Sequence, residues 1–177
     1  MSCFFENAEN GRQEALLTFK RDRLIYDIEN YAFIEGSILP KDTEPHNRHM
    51  VQDIGQEGNR DRAARVLELS IARCKESLYP FTKHAVHSAV LDNKLREPEA
   101  YGIVLDLPAD FSQTTLVLME RLIHEYLVCN IVADWMSITN PGKEESWKLK
   151  AESALKETRV CLNTRTGRVR RGLHPFG

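Results

Sequence analysis

The sequence predicts a mainly α-helical protein: about four helices in a bundle, a small β-hairpin inserted among them, and an extended basic arm at the C-terminus. Three observations predict it. Residues 111–162 carry two long apolar periodicities at helical spacing, joined by Asn140, Pro141 and Gly142. Two earlier segments, 13–37 and 60–79, repeat apolar residues every three or four positions. Between 84 and 107 the pattern changes to loose alternation and a β-branched run. A chain of 177 residues with 42% hydrophobic content suits one folded core. The expected division is a helical domain over 1–164 and an arm over 165–177.

The first helix, 13–37, rests on Leu17, Leu24, Ile28 and Tyr31, with charged residues mostly outside that stripe; Gly36 weakens it and Pro40 ends it. Residues 40–59 are polar and punctuated by Pro45, Gly55 and Gly58, and they read as a long loop, a contact surface or a mobile link. The second helix, 60–79, has Asn59 as its cap and Ala63, Val66, Leu67, Ser70, Ile71, Cys74 and Leu78 on one face, and Pro80 stops it. In the hairpin, residues 84–91 form the first strand or else prolong the second helix, and YGIVLDL, residues 101–107, forms the other.

Asp110 and Gln113 have the spacing of a capping box, which opens the third helix. That helix is apolar around most of its circumference, including Leu116, Val117, Leu122, Ile123, Tyr126, Leu127, Ile131, Trp135 and Ile138. Only a narrow strip around Glu120, Arg121, His124, Glu125, Asn130 and Asp134 is polar, so it is expected at the centre. Pro141 suits the first position of the fourth helix, where its missing amide would be unpaired anyway. Trp147, Ala151, Ala154, Leu155, Thr158 and Leu162 share one side of it, and Glu144 with Lys148 and Glu152 with Lys156 are spaced for ion pairs on the other. The expected core centres on Leu122, Ile123, Tyr126, Leu127, Ile131, Trp135, Trp147 and Leu155.

The net charge of −2 conceals a division: +5 from Arg159 onward, where there is no acid, and −7 before it. An acidic body with a basic tail suits association between copies or docking on an acidic partner. It does not suit sequence-specific nucleic-acid binding, which calls for a basic face on the folded domain. Cys3, Cys74, Cys129 and Cys161 form no CxxC, and three of them fall on apolar helix faces, which favours a reducing compartment. No secretory leader and no run long enough to span a membrane is read in the chain, so the expected location is cytoplasmic or, for a virion component, the assembled particle.

Candidate chemistry is sparse. His124 and Glu125 match the start of a zinc-protease HExxH, but Val128 stands where the second histidine belongs. His46 with His49, and His84 with His87, could each place two imidazoles near one ion, yet no other ligands complete a set. Glu120 and Asp134 lack the Glu-x-x-His repeat of a di-metal bundle. Residues 53–59 resemble a calcium loop only in composition. The expectation is no enzyme, no metal and no cofactor.

The arm interleaves Arg165, Arg168, Arg170 and Arg171 with Val169, Leu173 and Phe176. That pattern suits an extended segment whose apolar side chains dock on a neighbour while the guanidinia pair with its carboxylates. The succession YGIVLDLPADF, LMERLIHEYLVCNIVADWMSIT and NPGKEESWKLKAESALKETR, across residues 101–171, resembles small helical proteins of tailed bacteriophages, especially those of Bacteroides-type gut bacteria, that form the head–tail connector or neck. The resemblance implies a non-enzymatic virion subunit that builds a homo-oligomeric ring and contacts neighbouring virion proteins. Two alternatives are an adaptor or regulatory helical bundle binding a protein partner through residues 40–59, and a metal-dependent hydrolase using the histidines.

Overall fold

The computed structural model describes residues 4–8, 12–40, 45–83 and 98–164. It is mainly helical with a small antiparallel sheet. The sheet consists of β1 (Phe4–Ala8), β2 (Arg12–Lys20) and β3 (Ala100–Pro108), with β2 in the middle. The helices are α1 (Arg21–Ile38), α2 (Pro45–Gln52), α3 (Glu57–Ser77), α4 (Gln113–Thr139) and α5 (Pro141–Thr164), with a 3-10 turn at Asp53–Gly55.

The segment expected as one helix over 13–37 is a strand followed by a helix. Ala15, Leu17 and Phe19 are buried while Leu16 and Thr18 are not, an alternation that only a strand produces. Ala15 lies opposite Leu105, Leu17 opposite Ile103 and Phe19 opposite Tyr101, so both strands turn the same face inward. The helical stripe through Leu17 was therefore a coincidence of spacing. At Arg21 the chain turns into α1, where the Arg21 amide donates to the Glu99 carbonyl at 3.0 Å and ties the start of the helix to the approach to β3. Pro40 holds Leu39 in an extended conformation and ends the helix.

The YGIVLDL strand is present and pairs with β2; residues 84–91, expected as its hairpin partner, lie outside the described residues. The predicted loop at 40–59 is largely helical. Pro45 opens α2, and Val51 and Ile54 are buried in the core. Gly36 is why α2 can lie so close to α1: a Cβ there would sit 2.5 Å from Gln52 Cγ and 3.2 Å from the Arg48 carbonyl oxygen. Helix α3 starts at Glu57 with Gln56 before it, so Asn59 is not its cap; the Asn59 amide donates to the Asp53 carbonyl at 2.7 Å. The helix also ends sooner, at Ser77, before the cis Tyr79–Pro80 bond. The Phe81 carbonyl then accepts the Asp106 amide of β3 at 2.8 Å.

Helix α4 is capped by Ser112, whose hydroxyl accepts the Thr115 amide at 3.4 Å, in place of the expected Asp110 box. It runs through the core with Met119, Ile123, Leu127, Val128 and Val132 fully enclosed. Asn140 alone separates it from α5, and the two helices pack along each other. Trp147, Ala151, Ala154, Thr158 and Leu162 form the buried side of α5. Among the described residues, most of the buried apolar side chains belong to one cluster drawn from β2, β3 and all five helices. Among the described residues, no helix is long and apolar enough to cross a membrane.

Candidate functional site

Polar chemistry converges where β2, α1 and α4 meet. A cavity of about 800 Å³ is lined there by Lys20, Arg23, Asp27, Tyr31, Glu120 and His124, among others. The turn from β2 into α1 sets Asp27 and Tyr31 four residues apart on one helix face, opposite His124 and Glu125 on α4. Asp27 Oδ2 lies 2.8 Å from His124 Nε2 and 3.2 Å from Arg23 Nε. The Tyr31 hydroxyl donates to Glu125 Oε1 at 3.1 Å, and the same oxygen accepts the Cys129 thiol at 3.4 Å. Burial, reinforced by the Glu125 charge, pushes the Tyr31 phenol up to about 12 and the Cys129 thiol likewise to about 12. Both therefore remain protonated at neutral pH and act as hydrogen-bond donors to Glu125.

The His124–Asp27 pair has the form of an imidazole held by a carboxylate. Tyr31 is committed to Glu125, and the other hydroxyl lining the cavity is Thr18. Among the described residues there is no group of three His, Cys, Asp or Glu side chains placed to hold a metal ion. What the cluster does is join elements. Tyr31 continues into a ring contact with Trp147, centroids 5.0 Å apart. The Trp147 indole donates to Glu35 Oε1 at 3.2 Å, and Lys143 lies 3.6 Å from Glu35 Oε2. Lys150 sits 3.9 Å over the Trp147 ring. The chain of contacts Asp27–His124, Tyr31–Glu125 and Glu35–Trp147 thus fixes α1 against both long helices.

The opposite side of α1 is open. Tyr26 and Phe33, seven residues apart and so on one helix face, are 60% and 59% exposed. With the end of α2 and the 3-10 turn, this side encloses a groove of about 460 Å³ lined by Tyr26, Glu29, Asn30, Phe33, Gln52 and Asp53 together with Gly55 and Gln56. Exposed aromatic residues lining a groove are characteristic of interaction surfaces. The stripe through Leu24, Ile28 and Tyr31 accounts for the inner face of α1 and leaves Tyr26, Phe33, Ile34 and Ile38 over. That surplus is the sequence signal that reading the core alone passes by.

Of the expected core residues, Ile123, Tyr126, Leu127, Ile131, Trp135 and Trp147 are buried, whereas Leu122 and Leu155 are only half-buried. Val117 and Ile138, assigned to the apolar circumference of α4, are half exposed, while Glu120, assigned to its polar strip, is buried. Asp134 forms an ion pair with Arg62 at 3.0 Å. Among the described residues no ion pair joins Glu144 to Lys148 or Glu152 to Lys156; Lys143 pairs with Glu35 instead. His46 and His49 are both exposed on α2. Arg165, Arg168, Val169, Arg170, Arg171, Leu173 and Phe176, expected at an interface, and the pair His84 and His87 lie outside the described residues. Comparison of the chain with protein-family models, with curated proteins and with solved structures finds no match.

Proposed function

We propose that this chain is a non-enzymatic structural subunit that assembles with copies of itself into a ring, as part of the head–tail connector of a tailed bacteriophage. The observation that carries the assembly reading is the exposed face of α1, where Tyr26 and Phe33 stand in solvent beside an open groove. Two further features support it. The polar contacts of Asp27, Tyr31 and Glu35 join α1 to α4 and α5. The chain also carries −7 before Arg159 and +5 from there on, an arrangement that favours head-to-tail contact between like subunits. The connector reading adds the resemblance across residues 101–171, and with it the virion as location and neighbouring virion proteins as partners.

Size-exclusion chromatography with light scattering tests the proposal. A defined oligomer is expected for the full chain. Deleting residues 165–177 should leave the far-ultraviolet circular dichroism intact and reduce the mass toward that of the monomer. Replacing Arg168, Arg170 and Arg171 with glutamine should weaken association, and added salt should do the same to the unaltered chain, since exposed charges are screened over about 10 Å at 0.1 M. Phe176→Ala should weaken it with less salt dependence. A monomeric full chain would instead favour the adaptor, and an oligomer indifferent to the deletion would remove the arm from the mechanism.

A further inference from the structure

The groove beside α1 has a chemistry that selects its occupant. Its lining includes two carboxylates, Glu29 and Asp53, two exposed aromatic rings, Tyr26 and Phe33, and no lysine or arginine among the described residues. Glu29 rests on Gly55, where an added Cβ would meet its Oε1 at 2.6 Å, so its carboxylate is held two residues along the chain from Asp53. Two carboxylates facing one groove favour a cation, and a planar guanidinium can donate hydrogen bonds to such carboxylates. Arg23 already lies 5.8 Å from the centre of the Tyr26 ring, and the exposed Phe33 ring adds a surface for apolar side chains.

We infer that residues 165–177 of one copy of this chain seat in the α1 groove of the next, with arginines on Glu29 and Asp53 and apolar residues against Tyr26 and Phe33. The inference rests on the assembly reading and names its contact. The segment matches the groove in composition: four arginines, no acid, and Val169, Leu173 and Phe176 between and after them. In an extended chain Arg168 and Arg170 project to the same side about 7 Å apart, with Val169 to the other. Helix α5 meets α1 through its first turns, by Lys143 and Trp147 on Glu35, whereas near its far end Arg159 donates to the Ser77 carbonyl at the close of α3. The arm therefore leaves from the end of α5 remote from α1. Its 13 residues can span up to about 45 Å when extended, enough to cross to an adjacent subunit.

The test uses the full-length chain carrying the photo-crosslinking residue p-benzoylphenylalanine in place of Phe176, mixed with an equal amount of isotopically heavy unaltered chain. Mass spectrometry is expected to find crosslinks from position 176 to peptides containing Tyr26–Phe33 or Gln52–Gln56, joining light to heavy chains. In sedimentation equilibrium, Glu29→Gln with Asp53→Asn should weaken association at least about tenfold, the scale of losing a charge-assisted contact, and flatten its salt dependence. Circular dichroism checks that this variant is folded. An oligomer whose crosslinks fall elsewhere, or which the double variant leaves unchanged, overturns the groove while the assembly reading stands. Crosslinks confined to single chains overturn the neighbouring copy as the occupant. A monomeric full chain overturns both.

Discussion

Replacing Trp135 with alanine removes a large side chain from a place where three elements meet. Trp135 is 8% exposed on α4, and its indole nitrogen donates to the carbonyl of fully buried Val51 at 2.8 Å, fastening α2 to the central helix. Deleting a buried aromatic side chain costs about 3–5 kcal/mol. Here the deletion also leaves the Val51 carbonyl without its donor in a dry environment, which adds about 1–3 kcal/mol where relaxation does not admit water. The expected cost is therefore about 4–8 kcal/mol, a large share of the roughly 5–15 kcal/mol that stabilises a domain of ordinary size. With a urea slope of about 2 kcal/mol per M, the midpoint followed by circular dichroism should fall by about 2–4 M. Trp135→Phe keeps most of the ring and loses only the hydrogen bond, so it should cost about 1–3 kcal/mol. A midpoint for the alanine variant within about 0.5 M of the unaltered chain, with the slope unchanged, would mean that α2 does not pack on Trp135, and the core as described would be wrong.

Two glycines provide a paired check on the same corner. Gly58→Ala places a methyl in open space in the first turn of α3 and should stabilise by about 0.4–1 kcal/mol, whereas Gly36→Ala meets Gln52 and Arg48 and should destabilise by about 1–3 kcal/mol; equal effects in a melting experiment would deny the close approach of α1 and α2. Burial raises the Cys74 and Cys129 thiols from 9.0 to about 12, so the unfolded chain releases these protons at lower pH than the native one. The stability they contribute is present below pH 9 and is lost as pH rises from there toward 12, and a urea midpoint that did not fall across that window would contradict it. For the same reason a thiol reagent at pH 8 should label half-buried Cys161 well before Cys74 or Cys129 in the native protein. The purified protein should carry no stoichiometric zinc, and His124→Ala should leave the oligomer mass unchanged; about one zinc per chain by elemental analysis would return the hydrolase to consideration.

Elements whose apolar pattern is long and redundant were legible in the chain alone. The pair α4 and α5 needed only its periodicity, Pro141 at the first helical position and the Asn140 connection, because local rules of helix start and stop act within a few residues. The run at 101–107 was legible as a strand for its β-branched residues, and the inner faces of α3 and α5 from their spacing. What failed was every decision that depends on a distant neighbour. Ala15, Leu17 and Phe19 become a strand because β3, some ninety residues later, offers the matching face; alone, the segment 13–20 is equally compatible with a helical stripe. Residues 45–55 are polar enough to look like a loop, yet Val51 and Ile54 have the cavity beside Trp135 and α1 to fill, and Gly36 makes the room. The same holds for the candidate site. Asp27 and His124, or Tyr31 and Glu125, are joined only by the packing of α1 on α4 across a separation of 94 residues or more, and no local spacing rule anticipates that. The groove has the same origin: Glu29 and Asp53 are neighbours because α2 folds back on α1, while the arginines proposed to answer them were visible in the sequence from the start, since charge and composition are properties of the chain before it folds.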